Sequence, residues 1–205
     1  MNIGKTAAVA FEGLELVVHD GVYEPAEDSF LLAKYARELR GRILDLGCGC
    51  GIQSLVCARA DQDNQVIGVD ANPDAVWNSI ENAQRNGLEN AIFLESALFS
   101  TVENEKFNAI VFNPPYLPTS EEEKVAGNLN LAFDGGPDGR KVTDAFLLEF
   151  PEYLARNGVL LMIESSLAGI EKTMEKLGGL GFKTRVLEEE KFFFEKIVVI
   201  RAQRK

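Results

Sequence analysis

The stretch Arg42–Gly51 reads RILDLGCGCG, and it decides the fold of this 205-residue chain. Its first half, Arg42–Leu46, is a short apolar run of the kind that forms a buried strand. Three glycines in the last five residues predict a tight turn, and the segment Ile52–Ala60 that follows predicts a helix. A second strand-like run, Val66–Asp70 (VIGVD), comes next. This order predicts a parallel βαβ unit with a ligand site at the glycine-rich turn.

Strand-like and helix-like segments alternate along the rest of the chain, which predicts the α/β fold class. We expect a Rossmann-like, mostly parallel seven-stranded sheet with helices on both faces. The two C-terminal strand-like runs, Lys183–Leu187 and Phe192–Arg201, are joined only by Glu188–Lys191 and so predict an antiparallel hairpin. Residues 1–205 are expected to form one domain, with an N-terminal segment and helix in 1–41 and the core in 42–205. The other predicted helices are Phe30–Leu39, Pro73–Asn86, Val142–Leu154 and Leu167–Leu177, and the other strands are Ile92–Glu95, Phe107–Phe112 and Val159–Glu164.

The composition predicts a soluble, cytoplasmic protein. Apolar residues make up 46% of the chain, which is enough for a sizeable core without disulfides or metal. No apolar run approaches the roughly 20 residues that span a bilayer, and the N-terminus does not resemble a signal peptide. The cysteines Cys48, Cys50 and Cys57 lack metal-site spacing, and His19 is the only histidine. We therefore expect buried free thiols and no metal site.

The charge balance indicates which partners the protein binds. The formal net charge is −11, and basic residues cluster only at the C-terminus. Proteins that hold duplex nucleic acid neutralise phosphates with many Lys and Arg side chains. Nucleic acid is therefore disfavoured as the main partner unless another subunit supplies positive charge, and a basic protein partner is easier to reconcile with this balance.

The tetrapeptide Asn113-Pro114-Pro115-Tyr116 follows the strand-like run Phe107–Phe112. The Asn side-chain carbonyl and a backbone carbonyl of the turn can each accept one N–H of an amino group. The two prolines restrict the backbone, so that these acceptors are in place before substrate binds. Tyr116 offers a flat face against which a planar amide or base can lie. An Asn-Pro pair is also a common turn initiator, so the tetrapeptide alone does not decide between a site and a turn.

Three details of the glycine-rich turn distinguish among cofactors. Asp45 comes just before the turn, where a carboxylate suits a ligand with a cationic amino group better than a pyrophosphate. Asp70 ends the next strand, where its carboxylate can accept hydrogen bonds from both hydroxyls of a ribose. The turn also lacks the Lys-Ser/Thr of a phosphate-binding loop. Together they favour S-adenosylmethionine over a dinucleotide.

The motifs resemble those of class I methyltransferases that act on amino nitrogens. Val22–Ser29 (VYEPAEDS) and Phe133–Arg140 (FDGGPDGR), together with Asn113–Tyr116, narrow the resemblance to the HemK-type protein-glutamine methyltransferases. The similarity covers about Tyr23 to Ile200 and is to the compact archaeal and eukaryotic branch, which modifies the Gly-Gly-Gln tripeptide of class 1 release factors. The resemblance implies S-adenosylmethionine as cofactor and a release factor as substrate.

The resemblance also implies roles for individual residues. By resemblance, Asn113 would hold the target nitrogen. From the chemistry of the turn we further expect the Pro114 carbonyl to accept the second amide hydrogen and Tyr116 to pack on the amide plane, so these three are the expected catalytic residues. The family often carries an acidic residue where this chain has Ala97, which leaves adenine to backbone groups, Ser96 or apolar contact. The expected cofactor-binding residues are Ser29, Asp45, Gly47, Gly49, Asp70, Ala97, Leu98 and Asn113.

A glutamine amide is a poor nucleophile, and we expect direct in-line transfer of the methyl group without a covalent enzyme intermediate or a strong general base.

The stretch Thr119–Pro137 is long for a connection and is expected to cover the substrate. Its acidic run, Glu121–Glu123, either faces a basic partner or is simply solvated. Compact members of the family commonly work with a small zinc-binding activator subunit, for which the resemblance implies a docking edge at Ala91–Phe99.

Other functions remain open on the sequence alone. The same turn serves enzymes that methylate adenine N6, cytosine N4 or guanine N2, and a cleft that accepts Gln could also admit Lys. A base-flipping enzyme needs a basic cleft and usually a recognition domain, which the charge and the length disfavour. A non-catalytic binding protein that keeps the cofactor fold is disfavoured by the intact Asn113 and glycines.

Overall fold

The computed structural model describes residues 7–120, 122–124 and 127–205. In chain order, the strands and helices are β1 (Ala7–Phe11), β2 (Leu14–Val18), α1 (Glu27–Ala36), β3 (Arg42–Leu46), α2 (Ile52–Ala60), β4 (Gln65–Asp70), α3 (Pro73–Arg85), β5 (Ala91–Glu95), β6 (Phe107–Phe112), α4 (Lys141–Tyr153), β7 (Leu154–Ser165), α5 (Ile170–Gly179), β8 (Phe182–Lys191) and β9 (Lys196–Arg204). A short 3₁₀ helix, Asn128–Ala132, lies in the long connection between β6 and α4.

The seven core strands form one sheet in the order β5-β4-β3-β6-β7-β9-β8. Strands β3 to β7 are parallel, and β9 is antiparallel to both β7 and β8. The predicted Rossmann-like α/β fold with an antiparallel C-terminal hairpin is confirmed. The strand order reverses at β3, which lies between β4 and β6, and ligands of such sheets bind at that point, outside the carboxyl ends of the strands.

The C-terminal hairpin turns later than the sequence indicated. The turn lies in residues 192–195, and Glu188–Glu190 pair with Val199–Ile197 of β9 instead of forming the link. Charged residues are tolerated there because β8 is an edge strand of the sheet, and a register shift between Val186 and Glu188 adjusts its pairing. The apolar run at Phe192 therefore lies in the hairpin tip and not in a strand.

The N-terminal hairpin of β1 and β2 was not predicted, and it rests on helix α3. Asn78, Asn82 and Asn86 are four residues apart, so they share one helix face, and we call them the asparagine ladder. Asn82 Oδ1 accepts the Val17 N–H at 2.8 Å and its Nδ2 donates to the Val17 carbonyl at 2.8 Å. Asn86 makes the same pair of bonds to the backbone of Glu15. The helix thus supplies the hydrogen bonds that a neighbouring strand would give to β2.

Asn82 should contribute most of the stability of this contact. Its amide also donates to the Cys50 carbonyl at 2.9 Å, and its side chain is fully buried. Replacement by Leu, which is similar in volume, would leave the Val17 N–H and the Cys50 carbonyl without this partner. We expect Asn82→Leu to lower the free energy of unfolding by about 3 kcal/mol, measured by urea denaturation. Asn86→Leu is the control, with a loss under about 1 kcal/mol because water can reach its partners; equal losses would contradict the assignment.

Residues 7–120, 122–124 and 127–205 contain no helix whose length and apolar character would allow it to cross a membrane. The three cysteines are buried free thiols, and burial raises the pKa of Cys50 to about 12. Thiols with such a pKa are protonated and unreactive at neutral pH, so they act as small core residues.

Candidate functional site

A cavity of about 530 Å³ lies at the point where the strand order reverses. It is bounded by the carboxyl ends of β3, β4 and β6 and by the first turn of α1. This volume is within the range of cavities that hold a cofactor-sized ligand. The predicted site residues that line this cavity are Ser29, Gly47, Gly49, Asp70, Ala97, Leu98, Asn113, Pro114 and Tyr116.

Asp45 is the predicted site residue that the structure places behind the cavity wall. Its side chain is only 1% exposed, and its Oδ2 accepts the N–H of Ser54 at 3.0 Å and the Ser54 hydroxyl at 2.6 Å. Burial raises the pKa of Asp45 to about 7, although the bonds from Ser54 act in the opposite direction. The carboxyl group therefore braces the first turn of α2 beneath the glycine-rich turn, and its contact with the cofactor stays a prediction.

The glycine-rich turn gives a ligand close access to the backbone. Gly47, Gly49 and Gly51 have φ values of 64°, 58° and 90°, in the left-handed region that favours glycine. A Cβ at Gly49 would have open space around it, so the turn borders room that the protein does not fill. Ser79 on α3 donates to the Gly49 carbonyl at 2.9 Å and so fixes the turn from behind.

Asp70 is held rigidly at the end of β4. Its Oδ2 accepts the Gly49 N–H at 2.9 Å, and its Oδ1 accepts the Asn72 N–H at 2.8 Å. Burial raises the pKa of Asp70 above its usual range, while these backbone bonds oppose the increase. Each carboxylate oxygen can accept a further hydrogen bond, which suits the two adjacent hydroxyls of a ribose.

The turn after β5 forms an apolar part of the wall. Leu98 has a φ of 50°, which is uncommon for a non-glycine residue and indicates local strain. Ser96 holds this conformation because its hydroxyl donates to the Leu98 carbonyl at 2.9 Å and accepts the Thr101 N–H at 3.2 Å. Ser96 is thus engaged within the turn, and Ala97 and Leu98 offer mainly apolar surface to the cavity.

Asp28 is the centre of a hydrogen-bond network at the other end of the cavity. Its Oδ1 accepts from the Tyr23 hydroxyl at 3.1 Å and from the Ser29 N–H at 2.5 Å. Its Oδ2 accepts from Asn113 Nδ2 at 3.0 Å and from the Tyr116 hydroxyl at 3.2 Å. The sequence indicated Asp28 only as a first-turn residue of α1, because the contacts of its Oδ2 join segments more than 80 residues apart.

This network fixes the orientation of the Asn113 amide. A carboxylate only accepts hydrogen bonds, so the atom that faces Asp28 must be Nδ2. Asn113 Oδ1 then points elsewhere; it is buried, and within the described chain no hydrogen-bond partner satisfies it. A buried acceptor without a partner is costly, and at the wall of a cavity it indicates a bond that a ligand completes.

Gln53 on α2 is a second oriented amide, and sequence reasoning did not identify it. Its Nε2 donates to the Ser29 carbonyl at 2.8 Å, which leaves Oε1 buried without a partner in the described part of the molecule. The side chain is 4% exposed and lines the cavity. A polar residue directly after the glycine-rich turn was the available signal. Its free acceptor beside Ser29 suits the ammonium group of an amino acid.

The segment Phe133–Arg140 supports the Asn-Pro-Pro-Tyr turn. A Cβ added at Gly139 would lie 2.4 Å from the Tyr116 carbonyl oxygen, so only glycine allows this approach. The buried Arg140 guanidinium donates to the Ala168 carbonyl at 2.7 Å and to the Thr173 hydroxyl at 3.0 Å. The motif therefore anchors the Asn-Pro-Pro-Tyr turn to the loop after β7 and to α5.

The expected covering stretch, Thr119–Pro137, contributes to the cavity in its described part. Leu131 and Phe133 line the cavity, and the Phe133 ring packs edge-on against Tyr23 with centroids 5.4 Å apart. In the acidic run, Glu122 and Glu123 are exposed, and Glu121 lies outside the described residues.

This fold with its cavity is that of a class I methyltransferase, the class that uses S-adenosylmethionine as methyl donor. The Methyltransferase small domain family matches residues 15–132. A provisionally named protein N5-glutamine methyltransferase of Methanocaldococcus jannaschii is 46% identical over 197 residues, 96% of this chain and 98% of that protein. The mouse (Mus musculus) Methyltransferase HEMK2 is 32% identical and covers 77% of this chain and 79% of its own length.

More distant relatives agree with this assignment. The release factor glutamine methyltransferase of Geobacter sulfurreducens is 31% identical over 84% of this chain, which spans 63% of that relative. Among solved structures, Mtq2 of E. cuniculi, in a complex with Trm112 that methylates eRF1, has a TM-score of 0.69 at 23% identity and covers 90% of this chain and 99% of its own. The chain belongs to the HemK-type S-adenosylmethionine-dependent methyltransferases.

Proposed function

We propose that the protein transfers a methyl group from S-adenosylmethionine to the side-chain amide nitrogen of a protein glutamine. The glutamine of the Gly-Gly-Gln tripeptide in a class 1 translation release factor is the proposed target. The observation that carries the proposal is the buried Asn113 Oδ1, an oriented acceptor with no partner in the described structure. Such an acceptor matches one N–H of an –NH2 group.

The chain's own residues hold the acceptor amide in place. Asn113 Oδ1 accepts one amide hydrogen and the Pro114 carbonyl accepts the other, so the nitrogen faces the cofactor. Tyr116, whose hydroxyl is tied to Asp28, presents its ring beside the amide plane. Bound S-adenosylmethionine supplies a methyl group that its sulfonium activates. Fixed geometry of this kind replaces the need for a strong base during transfer. The amide nitrogen gains the methyl group and then gives up one N–H proton to water.

The remaining cavity residues fit the cofactor. Ser29 and Gln53 would hold its amino-acid end, and Gln53 Oε1 would accept a hydrogen bond from the ammonium group. Gly47 and Gly49 would border its centre, and Asp70 would accept hydrogen bonds from the ribose hydroxyls. Ala97 and Leu98 would contact the adenine. Support for this assignment comes from the unpartnered Gln53 oxygen, within the described residues, and from the open space at Gly49.

The charge of the cavity favours a protein acceptor over a nucleic acid. Among the described residues, its charged lining consists of Asp28, Asp70 and Glu195 against the base Lys141. An enzyme that flips a nucleotide must hold phosphates near such a cavity, which carboxylates oppose. The relatives named as protein-glutamine or release-factor methyltransferases support the same choice.

A small zinc-binding activator subunit is the proposed partner, docked on β5. This strand is an edge of the sheet, and its Ile92 and Leu94 side chains are exposed although apolar. An exposed edge of this kind can pair with a strand of another chain. The Mtq2–Trm112 complex supports the idea, because a protein of this fold assembles there with a partner.

We also propose that residues 1–205 form one domain and that the protein is cytoplasmic, a location to which free thiols are suited.

The decisive experiment uses labelled S-adenosylmethionine with a class 1 release factor, in its natural form and with Gln→Ala in Gly-Gly-Gln. We expect label only on the natural form. Label on both forms would indicate another residue, such as lysine. Transfer to nucleic acid alone would replace the proposal with a nucleic-acid methyltransferase.

A further inference from the structure

The tip of the C-terminal hairpin presents two exposed aromatic rings. Phe193 is 91% exposed and Phe194 is 85% exposed. The rings pack edge to face on each other with centroids 4.6 Å apart. Exposed aromatic residues that lie together, rather than singly, mark interaction surfaces. We call these two residues the aromatic tip.

The aromatic tip lies at the rim of the catalytic cavity. The residue that follows it, Glu195, lines the cavity. The carboxylate of Glu195 raises the pKa of Tyr23 and of Tyr116, after the larger effects of burial and of Asp28, so it lies near both phenols. These are the phenols bonded to Asp28, which orients Asn113. The tip is therefore next to the end of the cavity at which the acceptor amide binds.

The backbone on either side of the tip is fixed. The Phe192 N–H donates to the Glu195 carbonyl at 2.8 Å and closes the turn. The Ser165 hydroxyl donates to Glu195 Oε2 at 2.8 Å, and the Lys196 N–H donates to the Ser166 hydroxyl at 2.9 Å. The exposed rings are thus carried on an ordered turn tied to the loop after β7. Binding to such a surface costs little backbone entropy.

We propose that the aromatic tip is the surface on which the methyl-accepting protein rests beside its target glutamine. This inference rests on the proposed function. A cavity of about 530 Å³ can enclose a cofactor and one side chain, so the residues that flank the glutamine must lie on the rim. Two aromatic rings can bury roughly 300 Å² or more there and act as anchors of the interface.

The charges around the tip define the chemistry of its partner. The lysines that flank the turn, Lys191 and Lys196, both pair with Glu189, at 3.2 Å and 3.7 Å. Glu24 and Glu27 are exposed near Tyr23, and Glu195 faces the cavity. The whole chain carries a formal charge of −11. The partner segment should therefore combine an aliphatic side chain, which packs on the rings, with basic side chains that approach these carboxylates.

The test compares a protein acceptor with a short peptide. In Phe193→Ser/Phe194→Ser, we expect the KM for the release factor to increase at least roughly 10-fold, with kcat changed less than about 2-fold. The kcat/KM for a blocked Gly-Gly-Gln tripeptide and the affinity for S-adenosylhomocysteine should stay unchanged, because neither reaches the tip. Leu148→Ser is the matched control, since Leu148 is similarly exposed but is not among the cavity residues.

Each of the remaining experimental outcomes would contradict a different part of the proposal. An unchanged KM for the protein acceptor, or an equal loss with the tripeptide, contradicts the docking role. If the unaltered enzyme self-associates through these rings, or binds an activator subunit through them, that partner is the occupant instead. If the unaltered enzyme methylates no release factor, alone or together with an activator subunit, the proposed function itself fails. The single variant Phe194→Ser serves if the double variant does not fold, and it should raise the KM several-fold.

Discussion

Replacement of Asn113 by Ala is expected to lower the single-turnover rate of methyl transfer about 10³-fold. Asn113 Oδ1 is the oriented acceptor that would hold the amide nitrogen in line, and Ala offers no acceptor at this place. The loss is in kcat, because the interaction positions the reacting atom and adds little to acceptor affinity. Rapid-quench measurement with excess enzyme would separate this step from product release.

The cofactor should still bind in Asn113→Ala. The glycine-rich turn, Asp70 and Gln53 lie elsewhere on the cavity wall and keep their contacts. We expect the dissociation constant of S-adenosylhomocysteine, measured by calorimetry, to change less than about 5-fold, since most of its contacts remain. A variant that retains a tenth or more of the original rate would contradict the proposed role of Asn113.

The second large effect is expected for Asp28→Asn, with kcat lowered about 100-fold. Asp28 accepts from donors of four different residues, among them Asn113 Nδ2 and the Tyr116 hydroxyl. The Ser29 N–H can only donate, so the oxygen of an Asn at this place stays on that side and its –NH2 group faces Asn113 and Tyr116. The Asn113 amide then turns, and a donor replaces the acceptor that the substrate requires. Asp28 is in this sense a positioning residue.

A reciprocal variant distinguishes positioning from a general structural role. In Asp28→Asn/Asn113→Asp, the new amide at 28 can donate to the new carboxylate at 113, whose second oxygen again faces the substrate. We expect kcat to recover about 10-fold relative to Asp28→Asn, as coupled pairs do in double-mutant cycles. Glu27→Gln, an exposed neighbour, should keep the original rate. A double variant no faster than the single one would show that the pair does not act in this way.

The glycine-rich turn, the acidic strand end and the Asn-Pro-Pro-Tyr turn were predictable because each is a local pattern at the end of an apolar strand. The parallel sheet then brings these ends together, so Gly47, Asp70 and Asn113 line one cavity as the sequence indicated. The roles of Asp28 and Gln53 were not predictable, since both depend on partners remote in sequence.

The errors at the C-terminus have a similar cause. The three phenylalanines that start at Phe192 have the composition of a strand, and the acidic residues Glu188–Glu190 have that of a link. In the structure, Glu188–Glu190 lie in strand β8 and the phenylalanines lie in the turn. Edge strands tolerate charged residues, and the pairing with β9 fixes the register. The N-terminal hairpin escaped prediction since its hydrogen-bond partners are side chains of a helix.

The asparagine ladder gives that hairpin a thermodynamic connection to the cofactor. Asn82 bonds both the Val17 backbone and the Cys50 carbonyl, so the N-terminal hairpin and the glycine-rich turn share one side chain. A ligand that orders the turn therefore also favours the docked hairpin, and a docked hairpin favours the ligand by an equal free energy. We therefore expect the segment that leads from β2 to Tyr23 and Asp28, and with it the acceptor end of the cavity, to become more ordered when the methyl donor binds.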